Sequence, residues 1–270
     1  MPGHAHAGSR RLPQSSTALL IAALALILAA PLAAAGNQLR EPAETNVGYP
    51  AGDGTELQGY MAVPEGAGPH PAVIMVHEWW GLNYDIQLLA DALAAEGFVV
   101  LAPDLLRGSV AKRVPGALLQ MRRIPEEQKR ADLDAAFAFL SSQGAVDASR
   151  IASTGFCFGG TQSMQLGTRN PNLAAVITYY GGGPIQDPDR LGVMDENAPV
   201  LGVFGEEDNS IPLEEVEGFR SALDARGIEH TITIYPDVGH AFIDAENYNA
   251  GGTAEEAWRQ MVSFLKRELK

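Results

Sequence analysis

Short apolar segments alternate with amphipathic segments through most of this 270-residue chain. Residues 72–76 form a continuous apolar run of strand length, and residues 85–95 repeat apolar side chains at helical spacing. The alternation continues, with strands predicted over 98–102, 150–154, 174–180, 199–204 and 231–235, and helices over 126–141, 159–168, 212–226 and 253–270. Apolar strands separated by helices predict an α/β fold, with a mostly parallel sheet and helices on both faces. Residues 57–63 are predicted as an antiparallel edge strand.

The first 35 residues have the pattern of a secretory signal peptide. Arg10 and Arg11 precede an apolar run over residues 18–30, and residues 33–35 are small alanines suited to cleavage. The run is shorter than the ~20 residues that cross a bilayer, although a retained anchor stays an alternative. We therefore expect a periplasmic or secreted protein, in which residues 36–270 form a single domain without stable membrane contact after cleavage.

The charge composition limits the kinds of molecule that the protein is expected to bind. The net charge is −14, from 33 acidic and 19 basic residues, which argues against binding to nucleic acid. We expect a monomer that acts on a small molecule and needs no cofactor.

Cys157 is the only cysteine, and it lies in Gly155-Phe-Cys-Phe-Gly159 between a predicted strand and a predicted helix. This is the Gly-x-nucleophile-x-Gly form of a nucleophile elbow, in which a tight turn raises one side chain above the end of a strand. The helix amino terminus favours a thiolate and offers the N–H of Phe158 to an oxyanion. A small buried cysteine in a glycine-rich turn is the alternative. A thiol redox role is disfavoured because Cys-x-x-Cys is absent.

Two further side chains follow strands in the order that this kind of site uses, nucleophile, acid and histidine. Asp208 comes shortly after the strand at 199–204, and His240 after the strand at 231–235. His240 would act as the base and Asp208 would orient it. Glu206 or Glu207 could replace Asp208 if the loop register differs, and Asp208 could instead cap the next helix.

The segment His77-Glu-Trp-Trp-Gly81 follows the strand at 72–76. It lacks the second histidine of a zinc motif, so we predict no metal site. The N–H of Trp79 is expected to be the second oxyanion donor. Glu78 would point into the site and hold the thiol neutral, because two buried negative charges repel each other. His77 is expected to be structural, hydrogen-bonded beneath the loop.

Together these residues resemble the dienelactone hydrolase (carboxymethylenebutenolidase) family, from about Leu57 to the last helix. The resemblance rests on His77-Glu78-x-x-Gly81, Ala102-Pro103-Asp104-Leu105, Gly155-Phe156-Cys157-Phe158-Gly159-Gly160, the loop from Gly205 to Asp208 and Gly239-His240-x-Phe242. It implies an α/β-hydrolase fold and a triad of Cys157, His240 and Asp208. It also implies that Glu78 governs the ionisation of the thiol and swings away when substrate binds.

The resemblance also bears on the substrate. In this family two arginines hold a small anionic lactone, and Arg107 lies near the place of the first, although it could be a solvated loop charge. Asp244 occupies the place of the second. An acid there would repel an anion, which argues against the muconate-pathway lactone. Trp80 and Tyr84 are candidates for the acyl pocket or for the core, and residues 107–125 are expected to form a cap loop over the strand ends.

These observations predict an exported carboxylic ester or lactone hydrolase that works through an acyl thioester intermediate. A thioesterase or acyl transferase using the same triad is the first alternative. A non-catalytic binding protein on the hydrolase scaffold is the second.

Overall fold

A single sheet organises the part of the chain that the structure describes, residues 39–194 and 198–270 of a computed structural model. Its eight strands are β1 (Val47–Pro50), β2 (Glu56–Ala62), β3 (His70–Val76), β4 (Val99–Pro103), β5 (Val146–Gly155), β6 (Ala175–Tyr179), β7 (Val200–Gly205) and β8 (His230–Tyr235). They lie side by side in the order β1-β2-β4-β3-β5-β6-β7-β8.

The sheet is parallel from β4 through β3 and β5 to β8. Every residue of Ala72–Val76 in β3 is buried, as are all of β4, β6 and β7. Successive strand residues point to opposite faces, so both faces are covered. The prediction of a mostly parallel sheet in an α/β fold is confirmed.

The edge of the sheet differs from the prediction. β2 is antiparallel to β4, as expected. However, β2 was predicted to be the edge strand, and the structure adds β1, which pairs with the other side of β2 and forms the edge. β1 is only four residues long and contains Gly48 and Pro50, so it lacks the apolar run on which the sequence prediction relied.

Six α-helices connect and cover these strands among the described residues. They are α1 (Tyr84–Ala95), α2 (Val114–Arg123), α3 (Glu126–Ser141), α4 (Phe158–Gly167), α5 (Leu213–Arg226) and α6 (Gly252–Glu268), with a 3₁₀ turn over Pro188–Leu191. None of the helices within residues 39–194 and 198–270 is long and apolar enough to cross a bilayer. The predicted signal peptide, residues 1–35, lies outside the described residues.

α2 was not predicted, since residues 107–125 were expected to form a cap loop. The segment has Pro115 in its first turn, where proline is tolerated, followed by Gly116. Only Ala117 and Gln120 are buried on the helix. A buried face of one small and one polar residue gives too weak an apolar period to be recognised in the sequence.

The carboxyl ends of four neighbouring strands are level with one another. Val76 of β3 pairs with Gly155 of β5, Phe156 is bridged to Tyr179 of β6, and Tyr179 pairs with Val203 of β7. The segments that follow these strands therefore leave the sheet along one edge. This is the edge on which α/β folds carry their sites.

The turn between β5 and α4 depends on close backbone packing. A Cβ atom on Gly159 would lie 2.1 Å from the carbonyl oxygen of Val76, and one on Gly155 would lie 2.2 Å from the carbonyl oxygen of Gly159. Neither distance is possible between real atoms, so only glycine permits this turn.

Gly159→Ala is therefore expected to reduce the free energy of unfolding by at least about 2 kcal/mol, because the start of α4 would have to move away from β3. Gly144→Ala is the matched control, because a Cβ there meets nothing within 4 Å. It should change stability by less than about 0.5 kcal/mol. Urea unfolding of the two variants measures the difference. Equal stabilities would show that the turn can relax.

Candidate active site

Cys157 lies at the top of the turn, in the backbone conformation φ 55° and ψ −116°. A positive φ is rare for a residue with a side chain, and here the N–H of Cys157 donates to Tyr179 O at 3.0 Å. The thiol is half-buried and unpaired. The strained turn directs it away from the sheet, as a nucleophile elbow does.

Two backbone N–H groups point at the Cys157 sulfur. They belong to Phe158 at the start of α4 and to Trp79 in the loop after β3, and each lowers the pKa of the thiol. Burial acts in the opposite direction and is the largest cause, followed by the charge of Glu78, so the thiol pKa rises to about 12. The structure thus brings together the two amides that the sequence predicted. The thiol is therefore protonated over a wider pH range than an ordinary cysteine, and burial is the main cause of that difference.

Asp208 and His240 form a direct pair at the same edge of the sheet. His240 Nδ1 lies 2.7 Å from Asp208 Oδ2, and the Asp208 side chain has no exposed surface. A carboxylate accepts hydrogen bonds, so the pairing places the histidine proton on Nδ1 and leaves the Nε2 lone pair available. Glu206 and Glu207 are exposed. Asp208 is the acid of this loop that contacts His240.

The alternative role of Asp208 as a helix cap is not what the structure shows. Its second oxygen, Oδ1, accepts from the N–H of Ser210 at 2.8 Å, which closes a local turn. α5 begins after Pro212 and has no side-chain cap. The turn fixes the carboxylate so that its free oxygen faces His240.

Tyr180 lies beside His240 and was missed by the sequence analysis. Its ring lies 5.2 Å from the ring of His240, centroid to centroid, and its side chain is fully buried. Burial is the main reason that its pKa lies far above the usual value, and negative charges on Glu78 and Cys157 raise it further. The four groups therefore share one region. No sequence motif marked Tyr180, because a tyrosine at a strand end is common in cores.

Glu78 has an unusually weak acidity. Burial raises its pKa to about 8, the charge of Asp85 adds to this, Arg40 opposes it and Asp244 adds a smaller repulsion. Asp85 is itself raised to about 6, mainly by burial, while it accepts a hydrogen bond from the N–H of Ala245 at 2.7 Å. Glu78 is consequently largely protonated at neutral pH.

His77 supports the loop from below, as predicted. It is fully buried, its Nδ1 lies 2.6 Å from the carbonyl oxygen of Glu78, and its Nε2 accepts from the N–H of Leu105 at 3.2 Å. Burial lowers its pKa, so the ring is neutral. One neutral imidazole therefore ties the loop after β3 to the loop after β4 and fixes the orientation of the residues that follow Glu78.

Arg40 is a second residue that the sequence analysis missed. Its guanidinium lies 4.2 Å from the centre of the Trp80 ring, and its charge acts on Glu78 and Asp85. The backbone on either side is held in place, because the N–H of Asp85 donates to Leu39 O at 3.1 Å and that of Tyr84 to Glu41 O at 2.8 Å. Arg40 lies shortly after the predicted leader and outside every motif, so no sequence signal marked it.

The three residues predicted to bind substrate, Arg107, Trp80 and Tyr84, lie in different environments. Arg107 makes a bidentate ion pair with buried Asp132, at 2.9 and 2.8 Å, which favours a structural role over either of the predicted alternatives. Trp80 is half-buried between Arg40 and the Trp79 ring. Tyr84 is half-buried at the start of α1. Substrate contact for these three residues stays a prediction.

Comparison with known proteins identifies the family of this chain. Residues 57–269 match the model of the dienelactone hydrolase family. The chain is 35% identical over 240 residues to a protein of Escherichia coli K12 named "Putative carboxymethylenebutenolidase", covering 79% of this chain and 83% of that protein.

Two solved structures share the fold. A "Putative Dienelactone Hydrolase" from Klebsiella pneumoniae is 30% identical, with a TM-score of 0.70, over 83% of this chain and 100% of that one. The dienelactone hydrolase-like promiscuous phosphotriesterase P91 from metagenomic libraries is 23% identical, with a TM-score of 0.72, over 84% of this chain and 100% of that one. That second likeness bears on the fold alone. The resemblance found in the sequence is confirmed, and this α/β-hydrolase-fold chain belongs to the dienelactone hydrolase family of hydrolases.

Proposed function

We propose that this hydrolase cleaves carboxylic esters or lactones with a triad of Cys157, His240 and Asp208. The observation that carries the proposal is the buried Asp208–His240 hydrogen bond of 2.7 Å on the same sheet edge as a thiol that faces two backbone N–H groups. Nucleophile, oriented base and oxyanion donors are the parts that acyl transfer requires.

The reaction begins with proton transfer from Cys157 Sγ to His240 Nε2, as the sulfur attacks the carbonyl carbon. The carbonyl electron pair moves to oxygen, and the N–H groups of Phe158 and Trp79 stabilise the resulting oxyanion. When the oxyanion collapses, the C–O bond to the leaving group breaks, and His240 returns the proton to the departing oxygen. An acyl thioester on Cys157 remains.

Hydrolysis of the thioester follows the same steps with water in place of the thiol. His240 removes a proton from water, the hydroxide oxygen attacks the acyl carbon, and the same two N–H groups hold the oxyanion. The C–S bond then breaks, the sulfur recovers its proton from His240, and a carboxylic acid leaves. Asp208 keeps the imidazole in the required tautomer throughout and stabilises its charged form.

Glu78 acts in this proposal as a regulator of the thiol, second to burial. Its carboxylate raises the pKa of Cys157, and its own pKa is about 8. A neutral thiol is less easily oxidised than a thiolate, which suits an exported protein with one cysteine. Glu78 therefore opposes the thiolate mainly above about pH 8, where its carboxyl group ionises, and displacement by substrate would remove that charge.

The substrate is proposed to be neutral or weakly anionic. The charges of Asp85 and Asp244 act on this region, ionised Glu78 adds to them above about pH 8, and Arg40 is the cation that opposes them. Arg107, the other candidate cation, is engaged by Asp132. A strongly anionic lactone would therefore meet more negative than positive charge.

A thioesterase or acyl transferase is the remaining alternative, because the same triad would serve both. The three activities differ in the leaving group and in the acyl acceptor. Assays of one protein preparation with an ester, with a thioester, and with an ester plus an alcohol acceptor distinguish them. Membership of a hydrolase family removes the non-catalytic alternative. Export to the periplasm or beyond is likewise a proposal, and amino-terminal sequencing of the mature chain tests it, with a start near Gly36 expected.

Cys157→Ala is expected to reduce the hydrolysis of 4-nitrophenyl acetate by at least about a thousandfold, because no other residue is proposed to attack the carbonyl. In the wild-type protein, rapid quenching followed by mass spectrometry should find one acetyl group on Cys157. In His240→Ala any acylated protein that forms should persist. Undiminished hydrolysis in Cys157→Ala would move the activity to another site.

Asp208→Asn should lower kcat by about three to four orders of magnitude, because the amide can stabilise the wrong tautomer of His240. Glu207→Gln, in the same loop but exposed, is the matched control and should leave kcat within about twofold. Steady-state kinetics of the two variants tests the choice of acid. Comparable losses in both would contradict the assignment.

The pH profile of thiol alkylation tests Glu78. Below pH 8 Glu78 is protonated, so wild type and Glu78→Gln should react with iodoacetamide at similar, slowly rising rates. Above pH 8 the wild-type carboxylate ionises and opposes the thiolate, and its profile should flatten while that of Glu78→Gln keeps rising. If ionised Glu78 raises the pKa of Cys157 by about one, the wild type should be alkylated about tenfold more slowly than Glu78→Gln. Parallel profiles over the whole range would exclude this role.

A further inference from the structure

α2 exposes an apolar surface that no other described element covers. Of the six large apolar side chains exposed among the described residues, three lie on this one helix: Val114 at 48%, Leu118 at 44% and Leu119 at 58%. Val114 and Leu118 are four residues apart and lie on one face, with Leu119 beside them. Exposed apolar residues are ordinary when scattered, but three together on a ten-residue helix form a patch.

Positive charge flanks this patch. Residues 109–125 contain no acidic residue, whereas Arg113 precedes the helix and Arg122 and Arg123 end it. All three arginines are exposed, and within the described part of the chain their guanidinium groups make no ion pair or hydrogen bond. Lys112, by contrast, is paired with Glu41. The patch is thus a local basic surface on a protein whose net charge is −14.

The acidic residues that follow the helix do not neutralise it fully. Glu126 is exposed, but its two oxygens contact buried Lys129 and Gln162. Glu127 directly follows Glu126 in the sequence and is exposed as well. Three unpaired arginines are therefore followed by two exposed carboxylates, of which Glu126 is already paired with Lys129.

The opposite face of α2 is hydrogen-bonded to the loop after β3, which contains Trp79 and Trp80. Gln120 Nε2 donates to the carbonyl oxygen of Trp79 at 2.6 Å, and just before the helix the N–H of Ala111 donates to Trp80 O at 2.8 Å. Trp79 also supplies one of the proposed oxyanion N–H groups. A partner that bound α2 would therefore lie close to the candidate active site.

We propose that α2 docks the protein on an anionic lipid bilayer, with Val114, Leu118 and Leu119 entering the interface and the arginines contacting lipid phosphates. An apolar face bordered by arginines is the pattern of a helix that lies in the plane of a membrane surface. A protein partner would need acidic groups fitted to this small patch, whereas a bilayer presents many anionic groups in any register. No stable membrane contact after signal cleavage was expected from the sequence, and this proposal differs because it rests on α2, which was not predicted as a helix.

Sedimentation with lipid vesicles tests this proposal without any measurement of catalysis, so its outcome is independent of the proposed function. The assay uses the chain beginning at Gly36, since residues 39–270 form a compact unit with a continuous core, and the full chain beside it. Vesicles of phosphatidylglycerol and phosphatidylcholine are compared with phosphatidylcholine alone. Binding is expected to the anionic vesicles, and it should weaken as salt is raised.

Two double variants locate the contact. Leu118→Gln with Leu119→Gln should weaken vesicle binding by about tenfold through loss of apolar area. Arg122→Gln with Arg123→Gln should weaken it by about tenfold or more, at roughly fivefold for each arginine near the surface. The matched controls are Leu213→Gln and Arg259→Gln, which change exposed residues of α5 and α6 and should bind as wild type. Circular dichroism checks that each variant is folded.

Three results would overturn the proposal. Wild-type protein could fail to sediment with anionic vesicles, or the α2 variants could bind as tightly as the controls. Equal binding to phosphatidylcholine alone would remove the role of the arginines. In a parallel ultracentrifugation run, a wild-type dimer that the α2 variants reduce to monomers would identify the patch as a self-association face instead.

Discussion

The contact between the start of α4 and the end of β3 is the constraint on which the rest of the site depends. Gly159 sits so close to the carbonyl of Val76 that no side chain fits between them. This contact brings the segment after β5 against the segment after β3, and it forces Cys157 to positive φ. The N–H groups of Phe158 and Trp79, which come from different segments, therefore meet at one sulfur.

Burial dominates the electrostatics of this site. It is the largest cause of the raised pKa values of Cys157, Glu78, Asp85 and Tyr180. Neutral forms of these groups are favoured at rest, because each would lose solvation if it ionised alone. The Asp208–His240 pair is the exception, with a fully buried carboxylate next to an imidazole that can become positive. In the proposed mechanism, His240 is the group that takes the proton of the thiol.

The loop after β3 joins several parts of the molecule. His77 holds it from below, Gln120 of α2 holds it from the side, and Arg40 stacks on its Trp80. The loop contains the proposed oxyanion donor and the carboxylate that opposes the thiolate. Changes at α2 or at the amino-terminal segment can therefore reach the reacting groups through one short stretch of backbone.

Much of the fold could be predicted from the chain. Apolar runs of strand length predicted six of the parallel strands, and helical spacing predicted five of the helices, because both periods are strong where one face or both faces are buried. β1 and α2 escaped prediction because each is short and has few buried apolar residues. Cys157, His240, Asp208 and Glu78 were found because each follows a strand, and the strand ends are level.

Residue types and spacing were sufficient to propose a nucleophile, a base and candidate acids, since these proposals depend on local sequence and chain order. Only the tertiary structure chose Asp208 over Glu206 and Glu207, paired Arg107 with Asp132, and brought Arg40 and Tyr180 to the site. Those outcomes depend on contacts between residues far apart in the chain. Their distances are set by packing across the sheet edge, which no local pattern encodes.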